Sequence, residues 1–453
     1  MTGSKRKQVV ALLLGVSLST LWSYQVRRDH QGAVKMPDFA EIYFGARCAI
    51  LHQDPYNPGS VARVFLAENP KAKNPLAAES ARIVITIGVN LPTTLFATAP
   101  LALLPWPVAQ NLWMLLTAAL LALAAILVCD LAPGSPVVSA CMAAFLLANC
   151  EELLILGNLA GVVIGLCIVA AWCFLRNRYA FAGVALLAIS LVLKPHDSGL
   201  VWLYFLLAGG TPRKRALQTL ALTAVLGLFA ALWISSTSPH WIQELHNNLL
   251  TVSAPGSTSD PALVGMTNRS AGQISDLQAA FSIFKNDPRF YNPASYLIAG
   301  SVILTWIIAV LRQRFSVKSA LIALAAIAPL SILPVYHRIH DAKIILLTIP
   351  ACAALWAGKG PRRWIALALT SAAILVTSDI PLLVLLELTR NLPGSPSTLT
   401  AKITDLVLLQ PAPLLFLATG CFYLWVYLCA EPTQNEHPQL GQAAPPVQLE
   451  SRT

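Results

Sequence analysis

The sequence predicts an all-α, polytopic integral membrane protein with about 10–12 transmembrane or re-entrant helices and outer-face loops. Three observations predict it. Of 453 residues, 56% are hydrophobic, and mean hydropathy is +0.64. Only 11% are charged, against about 25% in ordinary soluble proteins. The apolar residues fall in runs separated by short polar linkers. A soluble globule of this length lacks the interior to hide so much apolar side chain, and a disordered chain would carry far less of it. The net charge of +10, from 31 Lys and Arg against 21 Asp and Glu, is spread in small clusters, which argues against nucleic acid as a partner.

Taken in order, Lys5-Arg6-Lys7 precedes an apolar run from about Val9 to Trp22. The following Ser23-Tyr24-Gln25-Val26-Arg27-Arg28 offers no small-x-small cleavage site, so the run reads as an uncleaved first span with its N-terminus cytoplasmic. Further apolar segments run over 107–129, 136–150, 159–175, 179–193, 198–210, 216–236, 297–311, 319–334, 342–357, 364–386 and 404–429. Several are shorter than the ~20 residues of a straight span, so their ends must extend into polar flanks or re-enter. Ile83–Leu104 is apolar but broken by Asn90, Pro92 and Pro100, and reads as interfacial or re-entrant. Seven of the nine cysteines (129, 141, 167, 173, 352, 421 and 429) lie inside apolar runs, where Cys behaves as a small hydrophobe. No CxxC or Cys/His spacing suggests a disulfide framework or a structural zinc.

The linkers carry an asymmetry. Arg176/Arg178, Arg213/Lys214/Arg215, Arg312/Arg314/Lys318 and Lys359/Arg362/Arg363 hold eleven cations and no acid, so the positive-inside rule puts all four in the cytoplasm. Successive linkers are separated by two crossings each, so the assignment closes. Residues 24–106, the Glu151-Glu152 corner, 194–197, 237–296, 336–341 and 387–403 then emerge on the extracytoplasmic face of a plasma (inner) membrane. The chain reads as one transmembrane domain over 1–430, with a first outer loop at 24–106 and a large outer loop at 237–296. Residues 431–453, polar and rich in Pro and Gln, read as a disordered cytoplasmic tail.

Three outer corners are chemically conspicuous. In Met36-Pro37-Asp38-Phe39-Ala40-Glu41-Ile42-Tyr43, Pro37 can start a helix and Asp38 can cap it. The alternative is a carboxylate held at the membrane surface as a general base; from the residues alone, capping leads. Gln53-Asp54-Pro55-Tyr56-Asn57-Pro58 reads as a turn. Lys194-Pro195-His196-Asp197 places three ionisable groups at the tip of an apolar hairpin, a costly position that points to a polar cavity and, for the lysine, to phosphate. In Tyr336-His337-Arg338-Ile339-His340-Asp341, His337 could share a helix face with His340 or Asp341. Metal ligation, a surface ion pair and anion binding compete there. Zinc would need further ligands that no HExxH-type pattern supplies, and Arg338 between the histidines favours an anion. No P-loop, GxSxG, GxGxxG after a strand or DxD signature is present.

The ordered set of motifs resembles glycosyltransferase family 87 of the GT-C superfamily. It comprises Pro-Asp-Phe-x-x-x-Tyr-x-x-Ala from Pro37, Asp54-Pro55-Tyr56, Leu91-Pro92 through Ala99-Pro100 to Pro105, Gly157-Asn158-Leu159, Leu193-Lys194-Pro195-His196, Asn268-Arg269-Ser270 and Tyr-His-Arg-x-x-Asp at 336–341. Gly157-Asn158 stands where Gly-Gln is commoner. The resemblance, over roughly residues 35–360, implies a membrane enzyme that takes a mannose-like hexose from a polyprenyl-phosphate donor. The sugar would go to a lipid or glycan acceptor at the outer face. It implies Asp38 as general base and Lys194, His196, Asn268, His337, Arg338 and Asp341 as substrate or phosphate ligands, with Glu41, Tyr43 and Tyr56 supporting. No cofactor is implied, and a metal only if Asp38, Glu41 and Asp341 converge. Two other readings compete. An O-antigen ligase or polymerase would use cations in the large outer loop, where only Arg269, Lys285 and Arg289 occur. A lipid or solute transporter would place ionisable groups at mid-span, whereas here they collect at one face.

Overall fold

The computed structural model describes residues 3–28, 35–68, 85–132, 134–257, 259–261, 274–379, 381, 384, 387 and 398–430. Asn268 and the 431–453 tail therefore lie outside the described residues. Those described form helices and no strand; their one isolated β-bridge joins Ile274 to Arg338. The chain runs α1 (Gly3–Arg28), α2 (Pro37–Ile50), α3 (Pro58–Glu68), α4 (Pro92–Ala102), α5 (Trp106–Leu131), α6 (Pro136–Ala148), α7 (Glu151–Leu156), α8 (Leu159–Leu175), α9 (Ala180–Leu193) and α10 (Pro195–Leu207). It continues with α11 (Gly210–Thr237), α12 (Trp241–Val252), α13 (Leu277–Ser282), α14 (Pro288–Arg312), α15 (Val317–Leu330), a 3₁₀ segment (Asp341–Thr348), α16 (Ile349–Trp356), α17 (Arg362–Val376), α18 (Leu399–Leu409) and α19 (Pro411–Leu428). Proline sets many starts: α2, α4, α5, α6, α10, α14 and α19 carry one in the first two positions. There its missing N–H costs nothing and its fixed φ suits the helix.

The fold is the all-α polytopic one that the composition predicts. By length and composition, α5, α11, α14 and α19 can each cross a membrane, and α6, α8, α9 and α15 are shorter apolar helices. Two predicted segments are divided. The run 342–357 is a 3₁₀ segment followed by α16, and 404–429 breaks at Gln410-Pro411 between α18 and α19. A proline disfavours helix in the residue before it and cannot donate to the preceding turn, so hydropathy runs through where the backbone stops. α4, within the segment 83–104, has 11 residues, a rise of about 16 Å and half of a hydrocarbon core. It is packed in protein: the buried Thr94 hydroxyl donates to the Leu193 carbonyl at 2.7 Å.

Two apolar cores hold the helices. The larger joins α5, α6, α8, α9, α10, α15, α16 and α19, and the smaller packs α2, α3 and α4 on the start of α5. α8 is buried almost throughout and lies close on α5: a Cβ on Gly165 would meet the Leu120 Cβ at 2.7 Å and the Leu120 backbone carbonyl oxygen at 3.2 Å. Small residues four apart are what lets helices in lipid approach this closely. By contrast, α11 and α14 turn Leu220, Leu228, Phe229, Leu297 and Leu304 outward, as lipid-facing helices do.

Polar contacts sort the linkers. Asp130 meets Arg176 at 3.1 Å and Arg6 at 3.9 Å. Arg215 donates to the Phe174 carbonyl at 3.3 Å and to Asn177, and Gln313 donates to the Tyr427 carbonyl at 2.5 Å. The start of α1, the cationic linkers and the end of α19 thus gather at one end of the bundle. The opposite end holds the corners at 194–197 and 336–341.

Candidate active site

The site is built from three corners far apart in the chain. α2 is fastened on all sides. Phe39 stacks on Trp113 (4.6 Å between ring centroids) and Trp106 (5.6 Å). The Tyr43 hydroxyl donates to the Leu104 carbonyl at 2.7 Å, and Glu41 accepts from the Val89 N–H (3.0 Å) and the Asn90 amide (2.8 Å). Burial first, with the charge of Asp38 adding to it against those two bonds, pushes the Glu41 carboxyl up to about 8. Tyr56 donates to the Asn90 carbonyl at 2.9 Å. The hydroxyls of Tyr43 and Tyr56 therefore fasten the first outer loop and do not point into the cluster described below.

Asp38 stands in the first turn of α2, and its Oδ2 accepts from the Asn158 amide at 2.6 Å. The Asn158 Oδ1 meanwhile caps α8 by accepting from the Ala160 N–H at 2.9 Å. One side chain thus ends the turn before α8 and aims the carboxylate of α2. The preceding Gly157 has φ +65°, and a Cβ there would lie 2.8 Å from both the Met36 and Phe39 Cβ atoms. Only glycine fits.

The second and third corners interlock. Lys194 separates α9 from α10 and pairs with Asp341, and with Asp197 at 3.1 Å. Burial works against its charge, but the two carboxylates outweigh burial and raise its pKa; the same pairing outweighs burial at Asp341 and holds that acid low. The His337 Nε2 lies 3.2 Å from Asp197 Oδ1, and the His196 Nε2 lies 3.4 Å from the same oxygen. Asp341 also accepts from the Arg338 N–H at 2.8 Å. Segment 336–340 is not the helix face that i, i+3 and i, i+4 spacing suggests. Ser275 N–H donates to the His337 carbonyl at 2.9 Å, and the bridge at Ile274 holds Arg338 extended, so the helix begins only at Asp341.

Asp38 meets this cluster through space: its charge acts on Arg338 and His340. Asp38 and the corners of Lys194, His196, His337, Arg338 and Asp341 therefore share one region. Glu41 turns away to Val89 and Asn90, and Asp341 to Lys194, so the carboxylates of Asp38, Glu41 and Asp341 do not form a metal site. Among the described residues, the group whose ligand atoms do lie close, within 4.8 Å of one another, is His196, Asp197 and His337.

Residues 90–281 match the model of glycosyltransferase family 87.

The family 87 stretch runs from just before α4 into α13 and includes Asn158, Lys194, His196 and Asp197. Asp38 and the 336–341 corner lie outside it. The match supports a membrane glycosyltransferase, with a sugar donor and an acceptor as substrates and membrane lipid around it. No curated protein and no solved structure matches the chain.

Sequence reasoning assigns no site role to three residues of this region, Asn158, Asp197 and Lys343. Asn158 carries a legible signal, an Asn just before an apolar run, which reads as a helix N-cap. Lys343 carries another, a lone cation in an apolar segment. It is fully buried, donates to the carbonyls of Asn149 (2.8 Å) and Thr377, and lies 3.6 Å from Asp379, whose other oxygen accepts from the Glu152 N–H at 2.8 Å. Asp197 was visible in the Lys-Pro-His-Asp corner, but nothing in its spacing announced three partners.

Proposed function

We propose that the protein transfers a mannose-like hexose from a polyprenyl-phosphate donor to a lipid or glycan acceptor at the extracytoplasmic face, with inversion. The observation that carries this reading is the placement of Asp38, held by Asn158 and acting in charge on the corner that contains Lys194, Arg338 and Asp341. A base and a cation group on facing sides are what the reaction needs. The acceptor oxygen attacks the anomeric carbon as Asp38 Oδ takes its proton. The bond from that carbon to the phosphate oxygen breaks, and the phosphate leaves with one more negative charge. Lys194 and Arg338 meet that charge, with His196, His337 and Asp341 shaping the corner and Asn268 offered by the large outer loop. The transition state has oxocarbenium character, as in glycoside hydrolysis. A donor with its tail in lipid delivers its head group at this level of the bundle, where the polar corners are.

The test is to incubate purified protein with a polyprenyl-phosphate sugar and follow release of the lipid phosphate. Asp38→Asn keeps an acceptor for the Asn158 amide and removes the base, so turnover falls about 100- to 10,000-fold with folding intact. Turnover near the wild-type rate in that variant rejects Asp38 as the base. Absence of lipid phosphate release by wild type from any such donor rejects the donor class.

A further inference from the structure

The geometry points to a binding site for one zinc-type divalent cation formed by His196 Nε2, Asp197 Oδ1 and His337 Nε2. The inference starts from the His337 ring. Its Nδ1 lies 3.0 Å from the Ile332 carbonyl and 2.9 Å from the Val335 carbonyl. Carbonyl oxygens only accept, so Nδ1 carries the ring proton and a neutral His337 presents a lone pair at Nε2. That lone pair faces a carboxylate oxygen at 3.2 Å. Two acceptors turned on each other need a positive centre between them, either a second ring proton or a metal ion. A ring nitrogen fixed by a backbone carbonyl, with the other nitrogen free, is also how proteins orient histidine ligands.

The three ligand atoms lie within 4.8 Å of one another, and the two spacings on Asp197 match those around an ion. Ligands about 2.0–2.1 Å from a tetrahedral Zn²⁺ stand about 3.3 Å from one another, and the two Nε2 atoms lie 3.2 and 3.4 Å from Asp197 Oδ1. Two imidazoles and one carboxylate form a ligand set that zinc takes in open sites, leaving a fourth position for water or substrate. The side chains of Asp197 and His337 are 1% and 2% exposed, whereas His196 is 43% exposed, so an ion has a way in. The neighbouring lysine does not compete for the same atom: Lys194 lies on Asp197 Oδ2 and is shared with Asp341.

The charge balance gives the ion a use. Lys194 is shared between Asp197 and Asp341, so part of its charge is already answered within the corner. A divalent cation on Asp197 adds positive charge beside Lys194 and Arg338 for a phosphate. That use rests on the glycosyltransferase reading; the ion site itself does not, and its test involves no sugar donor.

Tag-free protein is purified in detergent, stripped with a chelator, and titrated with Zn²⁺ and separately with Co²⁺. The expected result is one zinc per chain by elemental analysis and the intense visible bands of tetrahedral Co²⁺. His196→Ala and Asp197→Asn should each weaken zinc binding at least about tenfold, while His246→Ala, an exposed histidine on α12, leaves it unchanged. Wild type that takes up no zinc after stripping overturns the site, and so does equal affinity in the two ligand variants. In either case a second ring proton on His337 fills the gap to Asp197.

Discussion

A carboxylate can be held at the edge of ionisation by its surroundings, and Glu41 is such a group. It is raised from 4.5 to about 8, first by burial, with its two donors opposing the rise and Asp38 adding to it. The sign follows from linkage. A folded-state pKa above the unfolded one means that the folded protein binds the proton more tightly, so the stabilisation is complete below about pH 4.5 and is lost as pH rises through about 8. Glu41→Gln mimics the protonated form and keeps an acceptor for Val89 and Asn90. Measured as Tm, wild type should lose stability relative to Glu41→Gln between about pH 4.5 and about pH 8, with the curves converging towards acid. Parallel curves across that range would show that Glu41 is not the titrating group. The same residue marks what the sequence made legible. The motif around Pro37 shows a helix start and two acids, yet Glu41 and Asn90 are 49 residues apart in sequence, and no local pattern reports such a pairing. Asp38 and Asn158 are separated by 120 residues. The corners are readable because ionisable groups interrupt apolar runs; their mutual partners are not, because tertiary packing chooses them.

At the scale of elements, the meeting of α2 with the turn between α7 and α8 decides where Asp38 stands. Gly157 makes that meeting possible, with its positive φ, its contact with Met36 and Phe39, and its carbonyl, which accepts from the Trp113 indole at 2.9 Å. Gly157→Ala adds strain at positive φ and overpacks the contact, so it should destabilise the protein by about 1–3 kcal/mol and push α2 away from Asn158. Transfer should fall by more than the loss of folded protein explains, because the base moves with its helix. Thermal unfolding and turnover per folded molecule check this; a variant with unchanged Tm and rate would show that the turn yields without moving α2. Elements are also where hydropathy misleads. The apolar run 342–357 reads as one span, but a 3₁₀ segment and Pro350 break it. The buried Lys343 within that segment ties the break to Asn149 and Thr377 through carbonyls at the C-terminal ends of α6 and α17, which have no partner within their own helices.

For the whole molecule, the decisive property is that the two ends of the bundle differ in charge. Cations gather at the end where Arg6 and Arg176 meet Asp130 and where Arg215 reaches Asn177. Acids, histidines, Lys194 and Arg338 gather at the other. The positive-inside rule predicts the cation-rich end in the cytoplasm, and the proposed reaction then has its three corners on the outer face. The orientation can be read directly. In a background without the nine native cysteines, single cysteines at exposed positions report each end: Arg213 and Lys318 for the cationic linkers, Asn57 and His246 for the opposite loops. In intact cells a membrane-impermeant maleimide should label positions 57 and 246, and should label 213 and 318 only after the membrane is opened. Labelling of Arg213→Cys from outside would place Asp38 and Lys194 on the cytoplasmic side, where a donor presented in the outer leaflet could not reach them.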